Sequence, residues 1–340
     1  MAIKVAINGF GRIGRCFARA VADDKDIEIV AVNDLGDAKN LAYLLKYDTV
    51  YRTAKFEVTA GDKVLTIGKN KAHFLQEKDP ANLPWKDLNV DVVVESTGFF
   101  TDFAKANAHI TAGAKRVVIS APAKSTDAGV SGVTVLMGVN EEKLQDSKLS
   151  SNASCTTNAA SPLIAILDKA LGVEKAVLTT THGYTASQSL VDSPAKKDFK
   201  EGRAAAQNIV PTSTGAAIAV TQAYEQLKGK FDGISLRVPV VAGSIVDVTF
   251  ISKRDTTAEE VNKILTDAAN ATEWAGIFAV TNEPLVSSDI ICMEYGSLAD
   301  LGLTRVIGGN LVKVLAWYDN EMGYTHTLVR HVKAAGKLTQ

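Results

Sequence analysis

Cysteine is scarce in this chain. Cys16, Cys155 and Cys292 are the only three in 340 residues. Their odd number and wide spacing exclude a disulfide framework and offer no metal-ligand pattern, so no metal is expected. Charge of one sign is equally lacking. The net charge of −1 gives no global attraction to nucleic acid or to an anionic membrane surface. No apolar run approaches the ~18 residues of a spanning helix, so no membrane association is expected. Internal repeats and low-complexity linkers are missing. Met1–Ile7 enters a strand pattern directly, without the features of a signal peptide. These absences lead us to expect a reduced, cytoplasmic protein.

What is present is ordinary in bulk and specific in detail. Hydrophobic residues make up 46 % and charged residues 22 %, as in soluble globular proteins. The length favours two domains over one core. In the first half, apolar strand patterns at 3–8, 27–33, 90–95 and 116–120 alternate with helical stretches such as 12–23. That alternation implies βαβ units, a parallel sheet and an α/β dinucleotide-binding (Rossmann) domain over about 1–150. The character changes near 150. Longer β-rich runs at 176–182, 233–240, 245–252 and 311–318 flank helical patterns at 159–171 and 257–269. They predict an α+β domain with a mixed or antiparallel sheet over 151–319. The stretch 183–208 is polar, irregular and too long for a simple connection. Such loops are usually functional.

Asn8-Gly9-Phe10-Gly11-Arg12-Ile13-Gly14 is a G-x-G-x-x-G that follows a strand and opens a helix. Gly9 permits the tight turn, Gly11 lets backbone approach a pyrophosphate, and Gly14 lets helix and strand pack closely. The helix start offers N–H groups to phosphate. Asp34 ends the second strand, about 20 residues past Gly14, where a carboxylate takes the adenosine ribose hydroxyls and repels a 2′-phosphate. NAD is therefore expected in preference to NADP.

Cys155 opens a helical run inside Ser154-Cys155-Thr156-Thr157-Asn158. A thiol at a helix N-terminus is expected to have a lowered pKa and to act as a nucleophile. Cys16 and Cys292 lie in helical and apolar surroundings and are expected to be buried and inert. His182, at a strand end before Gly183, is the candidate general base. His73, His109, His326 and His331 are expected to be structural or superficial. Trp317 and Tyr318 are expected in the core.

These residues, with Glu95-Ser96-Thr97-Gly98, Ser120-Ala121-Pro122, Thr181–Thr185, Pro211–Ala217, Leu236–Pro239 and Trp317–Tyr324, resemble the phosphorylating glyceraldehyde-3-phosphate dehydrogenases over essentially the whole chain. The resemblance implies attack of the Cys155 thiolate on an aldehyde, with His182 as base. Hydride transfer to NAD and phosphorolysis of the thioester follow. It implies that Arg12, Ile13, Ser96, Thr97, Ser120 and Asn320 join Gly9, Gly11, Gly14 and Asp34 around the cofactor. It implies that Thr185 and Arg237 hold the substrate phosphate of glyceraldehyde 3-phosphate. Ser154, Thr156, Thr214 and Gly215 would hold inorganic phosphate. It also implies a C-terminal helix at about 320–340 packing back on the first domain, and a homotetramer.

The chain departs from the family pattern in places. Gly183 replaces Ser or Ala, and its backbone freedom is expected to loosen His182. Ser187 stands where many bacterial members have Asp. Lys200-Glu201 replaces Arg-Arg, Ile218 a Lys, and Met322 a Trp. Ser193 replaces a Leu associated with cofactor choice. Two rival readings share parts of this pattern. One is erythrose-4-phosphate dehydrogenase, with the same thiol chemistry and no strict need for phosphate. The other is a non-enzymatic NAD-binding regulator, against which the set Cys155, His182 and Arg237 argues.

Overall fold

The computed structural model describes every residue except Thr126, Ala128, Lys196 and Lys197. The chain divides into two compact units, residues 1–153 with 325–340, and residues 154–324. Among the described residues, no helix is long and apolar enough to cross a membrane.

The first unit is built on a nine-stranded sheet. Strand Ile3–Asn8 lies near its middle, with Ile27–Asn33 parallel on one side and Val92–Glu95 parallel on the other. Arg116–Ile119 and Leu149–Ser151 continue the parallel array beyond Val92–Glu95. Val92–Glu95 is buried at every position, the pattern of a strand covered on both faces. The strand order reverses at Ile3–Asn8, so a crevice is expected at the carboxyl ends of the central strands. On the far side Asn70–Leu75 is followed by the antiparallel strands Val64–Ile67 and Val58–Ala60. Sequence reading missed that short, charge-interrupted edge. The first helix, Arg12–Ala20, is also shorter than its pattern suggested.

The second unit centres on strand Val173–Gly183, which pairs parallel with Phe231–Val238 and antiparallel with Ser244–Ser252. Leu311–Tyr318 pairs antiparallel beyond Ser244–Ser252, so the sheet is mixed. Ser244–Ser252 alternates strictly between buried and partly buried residues, as a sheet with one covered face requires. Helix Cys155–Leu171 packs against these strands. It is buried nearly all round, including Pro162, which has no N–H for the Asn158 carbonyl. Thr257 caps helix Ala258–Ala269 by accepting the Glu260 N–H. Between Gly183 and Asn208 the only regular element among the described residues is a short turn of 3-10 helix, Phe199–Gly202. Lys196 and Lys197 of that stretch lie outside the described residues.

Cys16 is buried, as expected, but Cys292 is exposed. Its φ of 70° puts it on a turn whose N–H donates to Asp319 Oδ2 at 2.9 Å. Of the apolar residues around it in sequence, Ile290 is buried and Val286 exposed, so the segment packs only in part.

Helix Met322–Lys337 begins in the second unit and continues into the first. There His331 is fully buried. Its Nδ1 lies 3.1 Å from Asn152 Oδ1 and its Nε2 lies 2.8 Å from Ser150 Oγ. One neutral tautomer satisfies both contacts, with Nδ1 donating and Nε2 accepting. Burial, and secondarily the charge of Arg116, depress the His331 pKa from 6.5 to about 3. The folded state therefore binds fewer protons than the unfolded chain between these values. Stability is complete above pH 6.5 and is lost as pH falls toward 3. The slope expected from one such histidine is about 1.4 kcal/mol per pH unit. Replacing His331 with Gln should flatten urea-unfolding stability against pH by about that slope over pH 4–6.5. Parallel curves for the two proteins would refute the assignment.

Candidate active site

In the second unit, Cys155 is the first residue of its helix, and Ser154 is the N-cap. Ser154 Oγ accepts the Thr157 N–H at 3.1 Å, a cap worth about 1 kcal/mol. His182 is the penultimate residue of Val173–Gly183, and its register partner on the parallel neighbour is Arg237. Strand pairing thus sets imidazole beside guanidinium. Cys155 Sγ lies 3.3 Å from His182 Nε2. Arg237 Nη1 lies 2.5 Å from His182 Nδ1, and the Gly183 carbonyl lies 2.6 Å from the same nitrogen. The two contacts at Nδ1 call for opposite tautomers, because the guanidinium can only donate and the Gly183 carbonyl can only accept. The tautomer that donates Nδ1–H to Gly183, with Arg237 Nη1 turned to the same carbonyl at 3.5 Å, leaves the Nε2 lone pair facing the thiol. That form can take the thiol proton.

The electrostatics correct one expectation. The thiol is not lowered by its helix. Protein crowded around Sγ pushes the Cys155 pKa above its ordinary value, outweighing the downward pull of Arg237 and Thr156. Cys155 is only partly exposed, and burial prevails over the helix end. His182 moves the other way, to about 3, chiefly through burial and then through the Arg237 charge. Both shifts favour the neutral forms of the pair, and from those forms a thiolate arises by proton transfer to the imidazole.

Gly183 does not loosen His182. Its N–H donates to Ser244 Oγ at 3.1 Å, and its carbonyl is engaged by the imidazole. A Cβ at this position would sit 3.0 Å from the Val240 carbonyl oxygen.

Tyr318 is in the core, as expected, but its hydroxyl also bonds Thr156 Oγ1 at 2.8 Å and Thr180 Oγ1 at 2.7 Å. Its ring meets the His182 ring edge-on, with centroids 5.9 Å apart. This ties the helix start to the strand that carries the imidazole. Nothing local in the sequence signals the link, because the three hydroxyls lie on three separated segments. Asn320 Oδ1 accepts from Gly243 N–H and Ser244 Oγ–H at 3.1 and 3.0 Å. Its amide NH2 makes no hydrogen bond among the described residues.

The other residues expected around anions are more dispersed. Thr185 Oγ1 lies 3.1 Å from Ser187 Oγ, so a neutral hydroxyl stands beside it where a carboxylate is common. Thr214 Oγ1 accepts the Ala216 N–H at 3.2 Å, and Gly215 caps helix Ala216–Ala223 with open space above it. That helix packs against both Cys155–Leu171 and Phe231–Val238. Among the described residues, no hydrogen bond joins Thr185, Thr214 or Gly215 to Cys155, His182 or Arg237.

In the first unit a cavity of about 500 Å³ lies at the carboxyl ends of the central strands, lined by Gly9, Gly11, Asp34, Ser96, Thr97 and Phe99 among others. Gly9 has φ +94°, and a Cβ there would lie 2.5 Å from the Thr97 nitrogen. A Cβ on Gly14 would lie 2.2 Å from the Gly9 carbonyl oxygen, whereas one on Gly11 meets nothing. The turn is thus closed behind and open toward the cavity. No side chain caps the Arg12–Ala20 helix, which favours anion binding by its first-turn N–H groups at Ile13 and Gly14. Arg12 itself turns to Asp48. Asp34 accepts the Phe10 and Gly36 N–H groups at 2.7 and 2.8 Å, one on each oxygen. Ser120 donates its backbone N–H to the Glu95 carbonyl. Leu35 (62 % exposed) and Phe99 (80 %) also line the cavity. Sequence reading ties Leu35, beside Asp34, to cofactor choice but misses Phe99, because an exposed apolar side chain is unremarkable in sequence. The cavity suits a long ligand with an anionic middle and an apolar end.

Two family models match. The model described as the glyceraldehyde 3-phosphate dehydrogenase NAD binding domain covers residues 3–103, and the C-terminal domain of the same family covers 154–320. Among curated relatives, glyceraldehyde-3-phosphate dehydrogenase 2 of Streptomyces avermitilis is 48 % identical over 97 % of each chain. The glyceraldehyde-3-phosphate dehydrogenase of Mycolicibacterium smegmatis is 48 % identical over 99 % of each. That of Zymomonas mobilis subsp. mobilis is 46 % identical over 97 % of each.

Arg237 opposes imidazolium and favours thiolate, so Arg237→Gln should move both groups upward. The His182 pKa should rise from about 3 yet stay below 6.5, because burial remains. Alkylation of Cys155 by iodoacetamide should shift to higher pH. Unmoved NMR titration of His182 and an unmoved alkylation profile would contradict this electrostatic picture.

Proposed function

Because the chain belongs to the glyceraldehyde-3-phosphate dehydrogenase family, whose matched first domain binds NAD, we propose that it is the phosphorylating, NAD-dependent enzyme. In this reading it converts D-glyceraldehyde 3-phosphate, inorganic phosphate and NAD to 1,3-bisphosphoglycerate and NADH in the cytoplasm, as a step of glycolysis or gluconeogenesis. The single observation that carries the reading is the 3.3 Å contact between Cys155 Sγ and His182 Nε2, with Arg237 on the far side of the imidazole.

The chemistry follows from that contact. Cys155 sulfur bonds to the aldehyde carbon as His182 takes the thiol proton and passes it to the carbonyl oxygen, which gives the thiohemiacetal hydroxyl and frees the imidazole. Bound NAD supplies the hydride acceptor. His182 removes the hydroxyl proton of the thiohemiacetal as its carbon is oxidised. An oxygen of inorganic phosphate then attacks the thioester, and the C–S bond breaks to return Cys155. A neutral imidazole at working pH suits each proton transfer. Arg237 and Thr185 would hold the substrate phosphate. Ser154, Thr156, Thr214 and Gly215 would receive the attacking phosphate, Thr156 through its backbone N–H. Gly9, Gly11, Arg12, Ile13, Gly14, Asp34, Ser96, Thr97 and Ser120 would hold the dinucleotide, and the free amide of Asn320 suits its carboxamide oxygen. Leu35 and Phe99 offer apolar surface for the adenine.

A homotetramer is the assembly we favour. Val177 (59 % exposed) and Ile234 (52 %) lie on the uncovered face of the second sheet. Leu190, Val191 and Phe199, at 82, 70 and 88 % exposed, line the long loop. Apolar surface of this extent calls for a partner copy.

NADH formation from glyceraldehyde 3-phosphate should require phosphate or arsenate. Cys155→Ser should abolish it, and His182→Asn should slow it by roughly 10²–10⁴-fold. Turnover at full rate without either anion would overturn the phosphorylating reading in favour of an erythrose-4-phosphate dehydrogenase type. Light scattering should give four chains per particle, and a single-chain mass would refute the tetramer.

A further inference from the structure

Beneath the dinucleotide cavity lies a buried polar network that the reaction itself does not use. Asn8, Asn33 and Glu95 are the last residues of three adjacent parallel strands, and Asn8 is the register partner of both others. All three are nearly inaccessible. Their side chains bond across the strand ends. Asn8 Nδ2 donates to Glu95 Oε2 at 2.6 Å, and Asn33 Nδ2 donates to Asn8 Oδ1 at 2.7 Å. Asn33 continues outward, accepting the Glu77 N–H at 2.8 Å. This side-chain ladder crosses the point where the strand order reverses.

Glu95 is its hub. Oε2 also lies 3.0 Å from His109 Nε2. The Trp85 indole N–H donates to His109 Nδ1 at 2.9 Å. An indole can only donate, so Nδ1 is the acceptor and Nε2 carries the hydrogen toward Glu95. Oε1 accepts both the N–H and the hydroxyl of Thr97, at 2.9 and 2.5 Å. Glu95 thus receives four donors, two on each oxygen. Thr97 passes the constraint on, because its Oγ1 accepts the Phe99 N–H at 3.1 Å. Ser96, between them, donates to the Gly9 carbonyl at 2.7 Å. Gly9, Thr97 and Phe99 are all cavity wall.

We propose that Glu95 is a positioning residue of the NAD site, fixing the glycine turn and the Ser96–Phe99 turn at the spacing the dinucleotide needs. The proposal rests on the cavity being the NAD site. Only a carboxylate can serve at this hub. A glutamine has one acceptor oxygen, and its NH2 would meet two donors whichever way it turned. His109 cannot relieve that clash by changing tautomer while Trp85 donates to its other nitrogen. The strain falls on Asn8 or on Thr97, and through either on the cavity.

The test is Glu95→Gln in the full chain, with NAD affinity by calorimetry and steady-state kinetics in parallel. One buried donor left unsatisfied costs about 1–3 kcal/mol, so the Kd and KM for NAD should rise roughly tenfold or more. The kcat at saturating NAD and the KM for the aldehyde should stay within about threefold, because nothing in the Cys155–His182 pair depends on this network. An unchanged NAD Kd in folded protein overturns the proposal. So does a parallel decline of kcat and both KM values with melting temperature, which marks general destabilisation. If Glu95→Gln does not fold, His109→Leu removes one donor and decides the matter. It should weaken NAD in the same direction, and wild-type affinity there overturns the proposal. Asp34→Ala separates the two levels. Weakened NAD binding in Asp34→Ala but not in Glu95→Gln defeats the role of Glu95 alone. Wild-type NAD binding in Asp34→Ala defeats the cavity assignment and the proposal with it.

Discussion

A thiol and an imidazole 3.3 Å apart, both crowded by protein, are what the second unit is arranged around. The sulfur opens a helix that is buried nearly throughout, and the imidazole ends the longest strand of the sheet under it. Neither element can slide without breaking the contact. Strand register places Arg237 opposite His182, and the Tyr318 hydroxyl joins the helix start to the strand. The chemistry needs a proton to move over a short and constant distance. Packing, far more than any single hydrogen bond, provides that constancy.

Burial has a cost that the site turns to use. It raises the thiol pKa and lowers that of the imidazole, so both groups are biased toward their neutral forms. Arg237 opposes the first effect and reinforces the second. A neutral imidazole beside the thiol suits the base role proposed for it. A helix terminus offers typically under 2 kcal/mol to a nearby charge. Desolvation of a thiolate in a crowded site outweighs that. The dipole argument for Cys155 therefore fails on the direction of the shift, because burial outweighs the helix end.

In the first unit a different kind of order prevails. The glycine turn is shaped by what lies behind it. Gly9 is pressed against the Ser96–Thr97 backbone, and Gly14 against the Gly9 carbonyl. The strand ends beneath are joined by amides and a carboxylate with every acceptor occupied. Such a network is costly to bury incompletely and rigid when complete. The departures from the family pattern fall elsewhere, in the second unit, and Ser187, Ser193 and Lys200-Glu201 among them lie on the long loop after Thr185. There hydroxyls and a loop, with no fixed ladder, surround the expected anion sites.

Much of this was legible in the chain itself. Strands 3–8, 27–33 and 311–318 follow from β-branched and apolar runs, each interrupted by a single charge, and their observed bounds coincide with the pattern. The glycine turn, Asp34 and Cys155 stand out because each depends on neighbours within a few residues. Periodicity and caps are local, and so readable. The sequence alone also sufficed to name the family. It did not determine the exposure of Cys292, the Tyr318 bridge, the hold on Gly183 or the convergence of Trp85, His109, Thr97 and Asn8 on Glu95. Those depend on register between strands distant in sequence and on how fully the surroundings exclude water. Desolvation and cross-strand distance belong to no single segment, so only the tertiary structure decided them.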